Sequence, residues 1–111
     1  MSDRFVDVAD AGALDELMTR SQSEPVVLFK HSTTCPISMN AHREMERFTD
    51  ADVNLVIVQR ARELSNEIAR RTGVRHESPQ ALVVRNGDVV WNASHYDITA
   101  DAVRAALEAN R

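Results

Sequence analysis

Cysteine occurs once in these 111 residues, at position 35. A lone Cys excludes an intramolecular disulfide, and a cysteine-built zinc site needs several such ligands. Lysine also occurs once, at position 30, so the positive charge is nearly all arginine. Aromatic residues make up 5% of the chain, which leaves Val, Leu, Ile, Ala and Met to fill a core. No apolar run approaches the ~20 residues that a membrane-spanning helix needs. No basic segment leads into an apolar run near the start, so the expected compartment is the cytoplasm, where thiols stay reduced. A net charge of −4 argues against a general nucleic-acid or lipid-binding surface. Repeats, linkers and low-complexity segments are missing too. The length suits one domain over residues 1–111, large enough to bury a core without disulfides or metal.

What is present centres on Val26 to Ser38. The apolar run Val26-Val27-Leu28-Phe29 reads as a buried strand. Ser32, Thr33 and Thr34 follow, then Cys35 and Pro36. Proline is favoured at the first helical position, where its missing N–H has no partner to lose. Ile37, Ala41, Met45 and Phe48 then recur at helical spacing, so a helix runs from Pro36 to about Phe48. Cys35 therefore stands at a helix N-terminus, where free N–H groups and the helix dipole favour a thiolate over a thiol.

Around this stretch the elements alternate. Arg4 to Val8 reads as a short strand with Phe5 and Val8 inward. Asp10 caps a helix carrying Ala13, Leu14, Leu17 and Met18 on its inner face. Ser21 to Pro25 breaks it. Val53 to Val58 is a second buried strand. Ala61 to Thr72 is a helix with Leu64, Ile68 and Ala69 inward, closed by Gly73. A loop, His76-Glu77-Ser78-Pro79-Gln80, precedes the strands Ala81–Arg85 and Asp88–Trp91. Asn86-Gly87 between them is a strong hairpin signal. Thr99 caps a last helix with Ala102, Val103, Ala106 and Leu107 on one side. The order β-α-β-α-β-α-β-β-α implies an α/β protein with parallel strands and a closing antiparallel hairpin. With a Cys after the second strand and a Pro before the hairpin, the layout is that of a thioredoxin-like fold, a mixed central sheet flanked by helices.

The run His31-Ser32-Thr33-Thr34-Cys35-Pro36-Ile37-Ser38 resembles the TCPIS active-site motif of the monothiol bacilliredoxins, the YtxJ-like proteins. The resemblance extends to His76-Glu77-Ser78-Pro79-Gln80, to Asn86-Gly87 with Trp91, and to Ser94-His95 with Ile98-Thr99. It implies a thioredoxin-like fold and removal of bacillithiol from mixed disulfides on client proteins. It also implies a cis Ser78–Pro79 bond facing the active Cys. No cofactor is expected, bacillithiol being a thiol co-substrate, and the expected state is a monomer that binds neither nucleic acid nor membrane.

Thiol–disulfide exchange needs an accessible thiolate in line with a disulfide, and Cys35 is the candidate catalytic residue. Ser38 stands where a dithiol C-x-x-C motif carries its resolving Cys, so an external thiol must resolve any mixed disulfide. Thr33, Thr34, Pro36, Ser38, Ser78 and Pro79 are the candidate substrate-binding residues. Ordinary turn chemistry competes for the threonines, and local capping competes for Ser38. Lys30 reads first as a solvated charge and second as an attractor of the carboxylates of bacillithiol. His31 near Cys35 could suggest a Cys–His protease pair, but sequence proximity shows no hydrogen bond. His42 reads as solvated, on the helix face away from Ile37 and Met45. His76 could border the site, and His95 is not placed. Trp91 reads as packing, and the Arg60-Arg62 and Arg70-Arg71 clusters as solvated faces. Two other readings remain. One is an iron–sulfur carrier of monothiol-glutaredoxin type, which would need a dimer and external thiols. The other is a non-catalytic thioredoxin-like interaction module.

Overall fold

The computed structural model describes residues 4–111. Five strands form one mixed sheet: β1 (Phe5–Asp7), β2 (Val26–His31), β3 (Val53–Ile57), β4 (Gln80–Arg85) and β5 (Asp88–Ser94). Their spatial order is β1-β3-β2-β4-β5. β1, β3 and β2 are parallel, while β4 and β5 run antiparallel to their neighbours. Four helices cover the sheet: α1 (Ala11–Arg20), α2 (Pro36–Arg47), α3 (Arg62–Thr72) and α4 (Ala100–Ala109), the last preceded by a short turn of 3₁₀-helix at His95–Asp97. The element order matches the sequence reading. β2 and β4 run longer than their apolar cores because backbone pairing carries them on through Lys30 and His31 and back to Gln80.

β2 lies at the centre, and every one of its residues is buried. Alternate side chains therefore feed two cores. Val27 and Phe29 point toward α2 and α4, packing with Ala41, Met45, Phe48, Val103 and Leu107. Val26 and Leu28 point toward α1 and α3, packing with Leu14, Leu17, Leu64 and Ile68. Completely burying one of these side chains contributes about 1.5–3 kcal/mol before entropy is counted. Asp10 and Thr99 cap α1 and α4, each accepting from the backbone N–H three residues on. Gly73 ends α3 at φ 72°, the left-handed cap that favours glycine. Asn86 and Gly87 both have positive φ, 56° and 78°, as a tight hairpin with the twist of its strands requires.

The hairpin tip is tied to the end of α1. Asn86 N–H donates to Ser21 O at 2.7 Å, Gly87 N–H donates to Ser21 Oγ at 2.9 Å, and the Arg85 guanidinium donates to the carbonyls of Ser21 and Gln22. This fastening lies at the N-terminal end of β2. The Cys35 turn leaves from its other end.

Two helix faces differ from the sequence reading. On α2 the fully buried positions are Ser38, Ala41 and Met45, with Ile37 half-buried. The inner face is turned by one residue, so a serine occupies the place expected for an isoleucine. On α3 Ser65 is buried beside Leu64 and Ile68 because its hydroxyl donates back to Ala61 O.

Candidate active site

Cys35 is the N-cap of α2, in extended conformation, with Pro36 exposed at the first helical position. Its carbonyl accepts from Met39 N–H at 2.9 Å and starts the helix. Pro36 has no N–H, so the unpaired donors of the first turn reduce to Ile37 and Ser38. The thiol is free and half-buried, and its sulfur makes no capping bond to them.

Two side chains grip the turn that carries it. Ser38, fully buried, accepts from Ser32 N–H at 2.9 Å, and its Oγ lies 2.7 Å from His31 Nδ1. Both Ser38 contacts are internal, so the expectation that Ser38 touches substrate gives way to a local structural role. On the other flank Gln59, just beyond β3, accepts from Thr33 N–H at 3.2 Å. Its amide also donates to Thr33 Oγ1 and Thr34 Oγ1 at 3.3 and 3.2 Å. Each threonine hydroxyl thereby accepts from Gln59 and keeps its own hydrogen to donate outward. Thr33 and Thr34 are exposed.

The Ser78–Pro79 bond is cis. Because Lys30 pairs with Gln80 across β2 and β4, the chain running on to Cys35 and the chain running back through Pro79 leave the sheet side by side. Pro79 is buried, and its carbonyl accepts from His95 N–H at 3.1 Å. Ser78 Oγ and Gln80 Oε1 are buried without a hydrogen-bond partner among the described residues. Cys35, Thr33, Thr34, Pro36, Ser78 and Pro79 thus share one end of the molecule.

The histidines depart furthest from expectation. His31 is 4% exposed. Burial, then the neighbouring His42, push it down to about 4, while the Ser38 contact works the other way. It is neutral near pH 7 and makes no protease-like pair with Cys35, its Nδ1 being turned to Ser38. His42 is not a solvated surface residue. Its ring stacks on Phe5 at 4.8 Å, 7° from parallel, and tilts against His31 at 4.8 Å, while His31 stacks on Phe29. The spacing held this signal, since residue 42 lies four positions after Ser38 and three before Met45 on the same helical face.

Lys30 also corrects the sequence reading. It is completely buried, because both faces of a central strand are covered. Its ammonium lies 3.0 Å from His76 Nδ1. Burial lowers it to about 8, against the pull of Glu77. His76 is itself lowered, first by burial and then by Lys30, against Glu77. His95 Nε2 stands 4.0 Å from Glu77 Oε1. Gln59 and the Lys30–His76 contact went unnoticed in the sequence. The signal for Gln59 was its place at the carboxyl end of a buried strand, where α/β sheets gather their functional side chains.

A cis proline beside a cysteine at a helix start, on a β1-β3-β2-β4-β5 sheet, is the arrangement of a thioredoxin-fold protein. The structure is similar to a chain described as a proposed oxidoreductase with a thioredoxin fold, at TM-score 0.85 and 37% identity, over 92% of each chain. It also matches Fasciola hepatica thioredoxin (TM-score 0.73, 14% identity, 96% of this chain and 99% of that one). A mutant thioredoxin from Halobacterium salinarum matches at TM-score 0.75 and 20% identity, over 98% and 92%. The last two share the fold. The family model described as monothiol bacilliredoxin BrxC matches residues 7–103, and the chain belongs to that family.

Proposed function

We propose that this protein is a monothiol thiol–disulfide oxidoreductase that removes bacillithiol from mixed disulfides on client proteins. The observation that carries this reading is a lone, half-buried Cys35 at the start of α2, beside a cis Ser78–Pro79 strap, with Ser38 at the place of a resolving cysteine. Membership of the bacilliredoxin family supports bacillithiol as the small thiol.

The Cys35 thiolate attacks the bacillithiol sulfur of the mixed disulfide. A new S–S bond forms, the old one breaks, and its electron pair leaves on the client sulfur. The client is released reduced and Cys35 carries bacillithiol. A second thiol, bacillithiol or another redoxin, then attacks the adduct and restores Cys35. Thr33 and Thr34 hydroxyls offer outward donors to the incoming molecule, and the backbone of Ser78 lies along it. The chain works as a cytoplasmic monomer, with no resident cofactor.

Intact mass tests the reading. Reduced protein mixed with bacillithiol disulfide should gain one bacillithiol, and Cys35→Ser should gain none. No adduct on the wild type, or an equal adduct on Cys35→Ser, would refute it. Glutathione and coenzyme A disulfides run in parallel report the preferred thiol.

A further inference from the structure

Lys30 is the chain's only lysine and it is fully buried. Buried charges are ordinarily paired with an opposite charge. Among the described residues, no carboxylate oxygen lies within 4.0 Å of its ammonium, and its one hydrogen-bond partner is Nδ1 of His76, at 3.0 Å. Glu77 acts on Lys30 only through space. Lys30 cannot reach a substrate from this position, so a direct clamp on substrate carboxylates is excluded.

His76 is placed differently. It is exposed, and it stands two residues ahead of Ser78 in the strap beside the Cys35 turn. With Nδ1 accepting from Lys30, the ring hydrogen sits on Nε2. The imidazole therefore joins a buried ammonium on one side to solvent on the other.

We propose that Lys30 and His76 form a proton relay to the thiolate expelled from the mixed disulfide; this rests on the reading of Cys35 as the nucleophile. As the client S–S bond breaks, its sulfur takes the Nε2 proton of His76. Nδ1 takes a proton from the Lys30 ammonium, which becomes a neutral amine. Water then returns a proton to Nε2, and Nδ1 hands its own back to Lys30. The disulfide electrons are only exchanged between sulfurs, so no further oxidant or reductant enters. Proton affinities support the transfer. Burial brings Lys30 to about 8, close to the ~8.5 of an ordinary thiol. His76, lowered by burial and by Lys30, is neutral and passes a proton on without storing it.

A relay matters only when the leaving thiol needs a proton, and the test uses that. Reduced wild type, Lys30→Met, His76→Gln and the double variant are each reacted with hydroxyethyl disulfide, whose leaving thiol is of ordinary acidity. They are also reacted with dithiodipyridine, whose ring stabilises its own leaving group. Each single variant should be slower by about 100-fold with hydroxyethyl disulfide, the lower end of general acid catalysis. With dithiodipyridine each should stay within about 3-fold of wild type, and the double variant should be no slower than either single one, since the two act as a unit. His76 is exposed, and glutamine keeps a side-chain acceptor for the Lys30 ammonium, so this variant opens no cavity in the core. Equal slowing with both disulfides, or no slowing with hydroxyethyl disulfide, overturns the relay. A wild type inert to dithiodipyridine removes the nucleophile itself, and the relay with it.

Discussion

The Ser38 hydroxyl lies 2.7 Å from Nδ1 of His31, and both side chains are buried. The same oxygen accepts from Ser32 N–H, so one atom joins the end of β2, the turn and the first turn of α2. Ser38→Ala leaves the buried His31 and the half-buried Ser32 N–H without a partner and should cost about 1–3 kcal/mol. The urea midpoint should fall with an unchanged slope. Ser38→Cys should cost less, and it should convert a lasting thiol adduct into an internal disulfide, visible by intact mass as loss of the adduct.

Acid should act through His31. Its folded value of about 4 lies below the ordinary 6.5, so between those limits the unfolded chain binds the extra proton. The His31 contribution is intact above about pH 6.5, fades as the pH falls, and is gone below about pH 4, a change on the order of 3 kcal/mol. Urea midpoints across that window should fall more steeply for the wild type than for His31→Phe.

Lys30 should act at the alkaline end, with a related sign. Folded at about 8 against 10.5 when unfolded, it costs stability while charged in both states. That cost is relieved as the pH rises from about 8 to about 10.5, because the unfolded chain still holds the proton. Lys30→Met should be more stable than the wild type near neutral pH by about 1–3 kcal/mol. Its stability should also lack the alkaline rise. A variant both steadier and slower would show a residue retained for function at the expense of stability.

Gln59 should matter more to rate than to folding. Its contacts to Thr33 and Thr34 are exposed, so Gln59→Leu should change the free energy of unfolding, measured in urea, by less than about 1 kcal/mol. Freed threonine hydroxyls can turn their hydrogens away from the mouth of the site. Reaction with bacillithiol disulfide should slow by about 5- to 10-fold, as loss of about 1 kcal/mol from the transition state implies.

The alternation of strands and helices was legible because apolar periodicity is local. So were Asp10 and Thr99 as caps, Gly73 as a stop and Asn86-Gly87 as a turn. The place of Cys35 was legible from the same signals, since Pro36 marks the helix start. Lys30 and His42 were misread, and the burial of His31 was not seen, for one shared reason. Their burial comes from elements distant in sequence: β3 and β4 flank β2, and Phe5 of the first strand covers His42. Side-chain polarity pointed outward where strand order pointed inward. Ser38 was half legible, because its spacing from Cys35 is visible while the register that seats it under Ser32 is not.

The outer strand of the hairpin carries one further consequence. Val83 pairs with Trp91 and Val84 with Val89, so Val90 is an extra residue that bulges from β5 and stays exposed. The opposite edge, β1, is only three residues long. An interrupted edge and a very short one are poor templates for another chain's backbone. Another chain's backbone therefore finds little to pair with along either side of the sheet.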